Sequence, residues 1–173
     1  VSALPQDCML LYENLWWPAL TFRDPVLAAR RLEETPHEHT GFMLDTGHLM
    51  NTNWDLRTEE EGVDYVLDTI EGLARYDKEL AERIRGLHLH QSLSGAYART
   101  VQEAARRGEM PEYPTPQEYI DYVLRIDRHA PLHTPRAREI IDRVRPHWLV
   151  HEFIPTDTTD WEEKLAAQTA AIR

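Results

Sequence analysis

Six ionisable side chains stand at or just beyond the downstream ends of four short apolar runs. Glu13 follows the run 8–12 (Cys-Met-Leu-Leu-Tyr), and Asp45 and His48 follow 41–44 (Gly-Phe-Met-Leu). His88 and His90 close the run 84–89, and Glu152 follows 148–151 (Trp-Leu-Val-His). Side chains alternate along a strand, so Leu11/Glu13, Met43/Asp45, Gly86/His88/His90 and Val150/Glu152 can each point to one common interior. Three carboxylates and an imidazole in one small volume need neutralising. A divalent cation does this most simply, and an oxygen-rich set with one imidazole suits Mn²⁺, Mg²⁺ or Zn²⁺. The competing reading is a buried polar network, in which each carboxylate merely caps a helix or joins an ion pair.

Helical patterns separate the four runs. Asp24-Pro25 opens one that reaches Pro36. Thr58 with Glu61 spells a capping box ahead of Val63, Val66, Leu67, Ile70 and Leu73. Further helices are expected from Thr115-Pro116, from Pro135 to Pro146, and from Asp160 to Arg173. Alternation of strand and helix predicts βα units and a parallel sheet, whose strands lose polar alternation because both faces are covered. A complete (β/α)₈ barrel takes roughly 250 residues, so 173 residues with a long insertion hold about four units. Four units leave two unpaired edges that must be covered by something.

Composition narrows the classes. There are 19 basic and 30 acidic residues, a formal charge of −11, and no apolar run long enough to span a membrane. That balance argues against a nucleic-acid partner, which would require clustered Lys and Arg. One cysteine, Cys8, forms no internal disulfide; it reads as strand packing in a reducing, cytoplasmic setting. Arg99, Arg106 and Arg107 read as a solvated helix face, and Glu59-Glu60-Glu61 as a helix start complementing the dipole. His37 and His39 sit in a polar loop, while His151, opposite in parity to Glu152, is expected to face the helices. Trp16, two residues beyond Asn14, either walls a substrate ring or packs beneath the next loop.

Asp45-Thr46-Gly47-His48 after an apolar strand, Glu13-Asn14, Leu87-His88-Leu89 and the late Glu152 together resemble the second half of the xylose-isomerase-like TIM barrels. That superfamily holds sugar isomerases and epimerases, inosose dehydratases and type-IV apurinic endonucleases. The resemblance spans roughly residues 8–155. It implies that the chain is one domain, residues 1–173, carrying strands five to eight of the barrel with an inserted helical segment at about 92–128. It also implies that Glu13, Asp45, His88 and Glu152 ligate the metal, that Glu13 and Glu152 act as an acid/base pair, and that His48, His90 and Trp16 contact substrate. Asp127-Arg128-His129 is similar to an Asp-Arg-His of the endonucleases, where Asp127, His129 and His48 would hold a further zinc. The sequence departs from that pattern in the length between His88 and Asp127, and in having Gln91 where an Asp is usual.

The expected activity is therefore isomerisation, epimerisation or dehydration of a small keto-sugar, polyol or sugar phosphate, by proton transfer next to a carbonyl with a divalent metal ion. The alternatives are zinc-dependent phosphodiester hydrolysis and a catalytically inactive barrel half serving as an interaction module. The first-half histidines of the endonucleases have no counterpart in the sequence. The expected partners are thus a sugar-like substrate and either a missing N-terminal barrel half or a second copy of the chain.

Overall fold

A computed structural model describes residues 8–18, 20–111 and 114–173. Four parallel strands form one sheet in the order β1-β2-β3-β4. They are β1 (Leu10–Glu13), β2 (Thr40–Asp45), β3 (Ile84–His88) and β4 (Trp148–Val150). Tyr12 pairs with Phe42, Asp45 with His88, and His88 with Val150, so β2, β3 and β4 end level while β1 ends two residues earlier, opposite Met43. About half the chain is helical, and the α/β class expected from the alternating pattern is what forms. No described helix is long and apolar enough to cross a membrane.

Each helix starts for a local reason. In α1 (Pro25–Glu34) the Asp24 carboxylate accepts from the Val26 N–H at 2.9 Å, and proline fills the first helical position. In α3 (Glu59–Tyr76) Thr58 and Glu61 satisfy each other's backbone donors in the capping box. Its buried stripe of Val63, Val66, Ile70 and Leu73 covers Phe42, Leu44 and Leu87 in the core. The long helix at the C-terminus, α8 (Thr158–Ala171), is capped by Asp157 and so begins two residues earlier than the apolar pattern suggests. The helix expected from Pro135 is shortened to α7 (Ala137–Val144), because Thr134–Arg136 form a turn. It ends at Arg145 in left-handed conformation, φ 51°, just ahead of Pro146.

Three helices have no distinct signal in the apolar pattern: α2 (Thr46–Asn51), α4 (Lys78–Glu82) and α5 (Gly95–Arg106). With α6 (Pro116–Ile126), α5 makes up the inserted helical segment, of which residues 112 and 113 lie outside the described residues. Gln91 and Ala130 bond each other's backbone at 2.7 and 3.0 Å, closing the neck of this insertion.

The two faces of the sheet differ. Phe42, Leu44 and Leu87 face the helices and are fully buried, whereas Leu11 and Met43 on the other face are only half-buried. Gly86 has no room for a side chain there, since a Cβ would meet the Met43 Sδ at 2.5 Å. At the edge of the sheet, β4 exposes Trp148, Leu149 and Val150. Cys8 is exposed rather than packed, because β1 begins only at Leu10.

Candidate metal centre

The register that aligns the strands also gathers the side chains at their downstream ends. Glu13, Asp45, His88 and Glu152 place one ligand atom each within 4.8 Å of one another. His88 Nδ1 lies 2.7 Å from Glu152 Oε2, 3.2 Å from Glu13 Oε1 and 3.5 Å from Asp45 Oδ2. One ring nitrogen cannot serve three carboxylates. Accordingly Glu152 Oε2 is buried, close to His88, and in no hydrogen bond among the described residues. A donor set of three carboxylates and one imidazole with an orphaned oxygen fits a hard or borderline divalent cation. Glu13 ends β1 and Glu152 lies two residues beyond β4, the two outermost strands of the sheet, and their carboxylate oxygens come together with the ligand atoms of the inner strands.

Beside this quartet lies a second group, His48, Asp127 and His129. His48 donates Nδ1–H to the Asn14 carbonyl at 2.9 Å, and His129 donates Nδ1–H to the Glu152 carbonyl at 3.1 Å. Both rings are thereby oriented to present Nε2 to one point, the Asp127 Oδ2, at 2.9 and 3.0 Å. Backbone carbonyls that fix the far nitrogen of an imidazole are the usual orienting partners of metal-binding histidines. Asp127 caps the end of α6 and His129 sits at φ 45°, so the neck of the insertion delivers both. Ser92 holds them there: its hydroxyl donates to Asp127 Oδ1 at 3.1 Å and accepts from the Arg128 and His129 N–H groups at 2.9 and 3.3 Å.

Asp45 is wholly buried and has two tasks. Its Oδ1 accepts from the His48 N–H at 2.6 Å, starting α2, while its Oδ2 faces His88 and His90. Asn14 clamps its backbone, receiving the Asp45 N–H at 2.7 Å and donating to the Asp45 carbonyl at 2.9 Å. His90, expected to touch substrate, is instead fully buried behind Asp45, with Nε2 2.9 Å from Oδ2. His151 faces the helix layer, with its Nδ1 2.6 Å from Gln168 Nε2 on α8.

The electrostatics are those of carboxylates matched by protons on imidazole. Burial alone would raise Asp45, but hydrogen bonds from His88 and His90 hold it far below the ordinary carboxylate range. Asp127 is likewise held low against burial, by His129 and His48. Burial disfavours charge on His48, yet Asp127 and Asp45 raise it to about 9. Burial likewise opposes charge on His88 and His129, yet Asp45, Glu13 and Glu152 raise His88 to about 10 and Asp127 raises His129.

A further trio, His90, His129 and Glu152, also brings ligand atoms together. Its two rings, however, are stacked 4.2 Å apart at 8°. Imidazole lone pairs lie in the ring plane, so two parallel stacked rings do not converge on one ion. Trp16 is half-buried, edge-on to Trp17 at 5.1 Å, and lines a cavity of about 730 Å³ with Arg23, Asn51 and Trp54. Of the arginines in the insertion, Arg99 pairs with Asp55 and Arg107 with Glu109. Asn14 and Ser92 are site residues that sequence reasoning missed as supports; Asn14 was visible only as the neighbour of Glu13. No protein-family model, no curated protein and no solved structure matches the chain.

Proposed function

We propose that the chain is the core of a divalent-metal-dependent enzyme that isomerises, epimerises or dehydrates a small keto-sugar, polyol or sugar phosphate. On this reading it carries the last four βα units of a xylose-isomerase-like barrel, completed by an N-terminal half or by a second copy. The observation that carries the reading is a gradient of exposure within one ligand set. Asp45 is 0% exposed and His88 17%, while Glu13 is 35% and Glu152 40% exposed. Two carboxylates thus face solvent across a buried anchor, where a substrate can lie between them. A bound Zn²⁺, Mn²⁺ or Mg²⁺ would supply a Lewis acid for the substrate carbonyl oxygen. Glu13 and Glu152 would move the proton at the neighbouring carbon, one as base and one as acid. Trp16 and the cavity beside it would hold the remainder of the substrate.

One observation favours a second reading, zinc-dependent phosphodiester hydrolysis. His48 engages both ring nitrogens, with the Asn14 carbonyl and with Asp127, which supports a role in the trio with Asp127 and His129 over one as a contact for a substrate hydroxyl. A second cation beside the first is the arrangement that clamps attacking and leaving oxygens in phosphoryl chemistry.

The two separate in one experiment. The metal-loaded protein is incubated in D₂O with a panel of ketoses and their phosphates, and in parallel with bis-p-nitrophenyl phosphate. Deuterium entering the carbon next to the carbonyl, lost in Glu152→Gln, supports the first reading. Nitrophenol release without exchange replaces it with the second, and neither signal removes both.

A further inference from the structure

The His90 imidazole is the most deeply buried ring of the cluster and the one that no catalytic role absorbs. Four constraints fix it. The backbone N–H of His90 donates to the Thr46 hydroxyl at 3.0 Å, and that hydroxyl donates back to the His90 carbonyl at 2.5 Å. Its Nε2 meets Asp45 Oδ2, and its face stacks on His129. Its remaining nitrogen, Nδ1, has no hydrogen-bond partner among the described residues and lies against Gly47, where a Cβ would overlap the ring. At 2.9 Å from a carboxylate oxygen, Nε2 is placed to donate its N–H to Asp45.

We infer that His90 is a positioning residue that holds both halves of the centre at once. Its Nε2–H fixes the Asp45 oxygen offered to the quartet, and its ring face sets the plane of His129 in the trio. Gly47 is the space that lets it do so. The inference rests on the metal-binding reading of the quartet and adds that His90 itself ligates nothing. Replacing the ring by Phe keeps the stack and removes the donor, whereas Gln keeps a donor and removes the stack. Loss of a hydrogen-bonding partner behind a metal ligand typically weakens metal binding by ~10–100-fold.

Co²⁺ serves as the probe, because its visible absorption reports ligand geometry without any turnover. Wild-type protein is titrated with Co²⁺ beside His90→Phe, His90→Gln and Gly47→Ala, each checked for folding by thermal unfolding. The expected result is 10–100-fold weaker binding in His90→Phe, substantial recovery in His90→Gln, and a shifted spectrum in Gly47→Ala, where the ring is displaced but present. Wild-type affinity in His90→Phe overturns the inference while leaving the metal reading intact. Absence of Co²⁺ binding by the wild type removes the metal reading and the inference with it. Where His90→Phe does not fold, ¹⁵N spectra of the His-labelled wild type decide: Nε2–H with an unprotonated, metal-free Nδ1 supports the role, and Co²⁺ bound at either nitrogen overturns it.

Discussion

His48 Nε2 and Asp127 Oδ2 meet at 2.9 Å although 79 residues separate them. Each is held by something else: His48 by the Asn14 carbonyl and by α2, Asp127 by the Ser92 hydroxyl at the neck of the insertion. The contact joins the end of the parallel sheet to the inserted helices. It also tests whether the trio is a cation site or an ion pair that only ties the insertion down.

Asp127→Asn distinguishes these. If the trio holds a metal, the variant should contain one equivalent less by elemental analysis. Its affinity at that site should fall by more than the ~10–100-fold typical of losing a supporting partner. Unchanged metal content with a lower unfolding temperature would make the pair structural.

Glu152→Gln is nearly isosteric and removes only the charge of a carboxylate that is 40% exposed. Turnover should fall by about 10²–10⁴-fold, the usual contribution of a positioned acid or base, with the melting temperature nearly unchanged. A large drop in melting temperature would make Glu152 a structural group instead.

Metal-free protein should lose stability in alkali. His48 and His88 are raised in the folded state from 6.5 to about 9 and about 10. Their contribution is therefore complete below pH 6.5 and declines as pH rises through the folded values. Asp45 and Asp127 are depressed from 3.8, so their contribution is complete above that value and is lost as pH falls further. With a chelator present, the melting temperature should be highest between about pH 4 and 6.5. Saturating Zn²⁺ should flatten the alkaline decline and release protons on binding, because the ligating imidazoles are deprotonated. An alkaline decline unchanged by metal would count against histidine ligation.

Asn14→Ala should be among the most damaging single changes. It removes the partner of the buried Asp45 N–H, costing about 1–3 kcal/mol, together with one donor to the Asp45 carbonyl. Chemical denaturation gives the value directly, and a loss under 1 kcal/mol would show that water replaces the clamp.

The exposed Trp148, Leu149 and Val150 on an edge strand, with half-buried Leu11 and Met43 on the open face, call for a covering surface. Sedimentation should find the chain associated, either with itself or with a separately expressed barrel half, through an interface of about 2,000 Å² or more. A monodisperse, cooperatively folding monomer would end the half-barrel assignment.

Strands and the quartet were legible in the sequence for one reason. Parallel strands covered on both faces become continuous apolar runs, so a charged residue at the end of each one stands out. Thr46–Asn51 carries no helical signal of its own; it forms because Asp45 caps it and because Gly47 makes room for His90. Asn14 and Ser92 act through bonds 31 to 37 residues away, which no local spacing encodes. Cys8 is exposed because the apolar run begins two residues before the strand does. Strand parity tells which face a side chain takes but not how deep it lies, and His90 lies fully buried.

The quartet draws its ligands from the downstream ends of all four strands, the first on β1 and the last just beyond β4, the two margins of the sheet. A cation there would act as a clasp from one margin to the other. Prising the margins apart would rupture metal–ligand bonds, so ion escape and detachment of the last strand would become a single event. The off-rate of the metal would then be the chain's own mechanical clock.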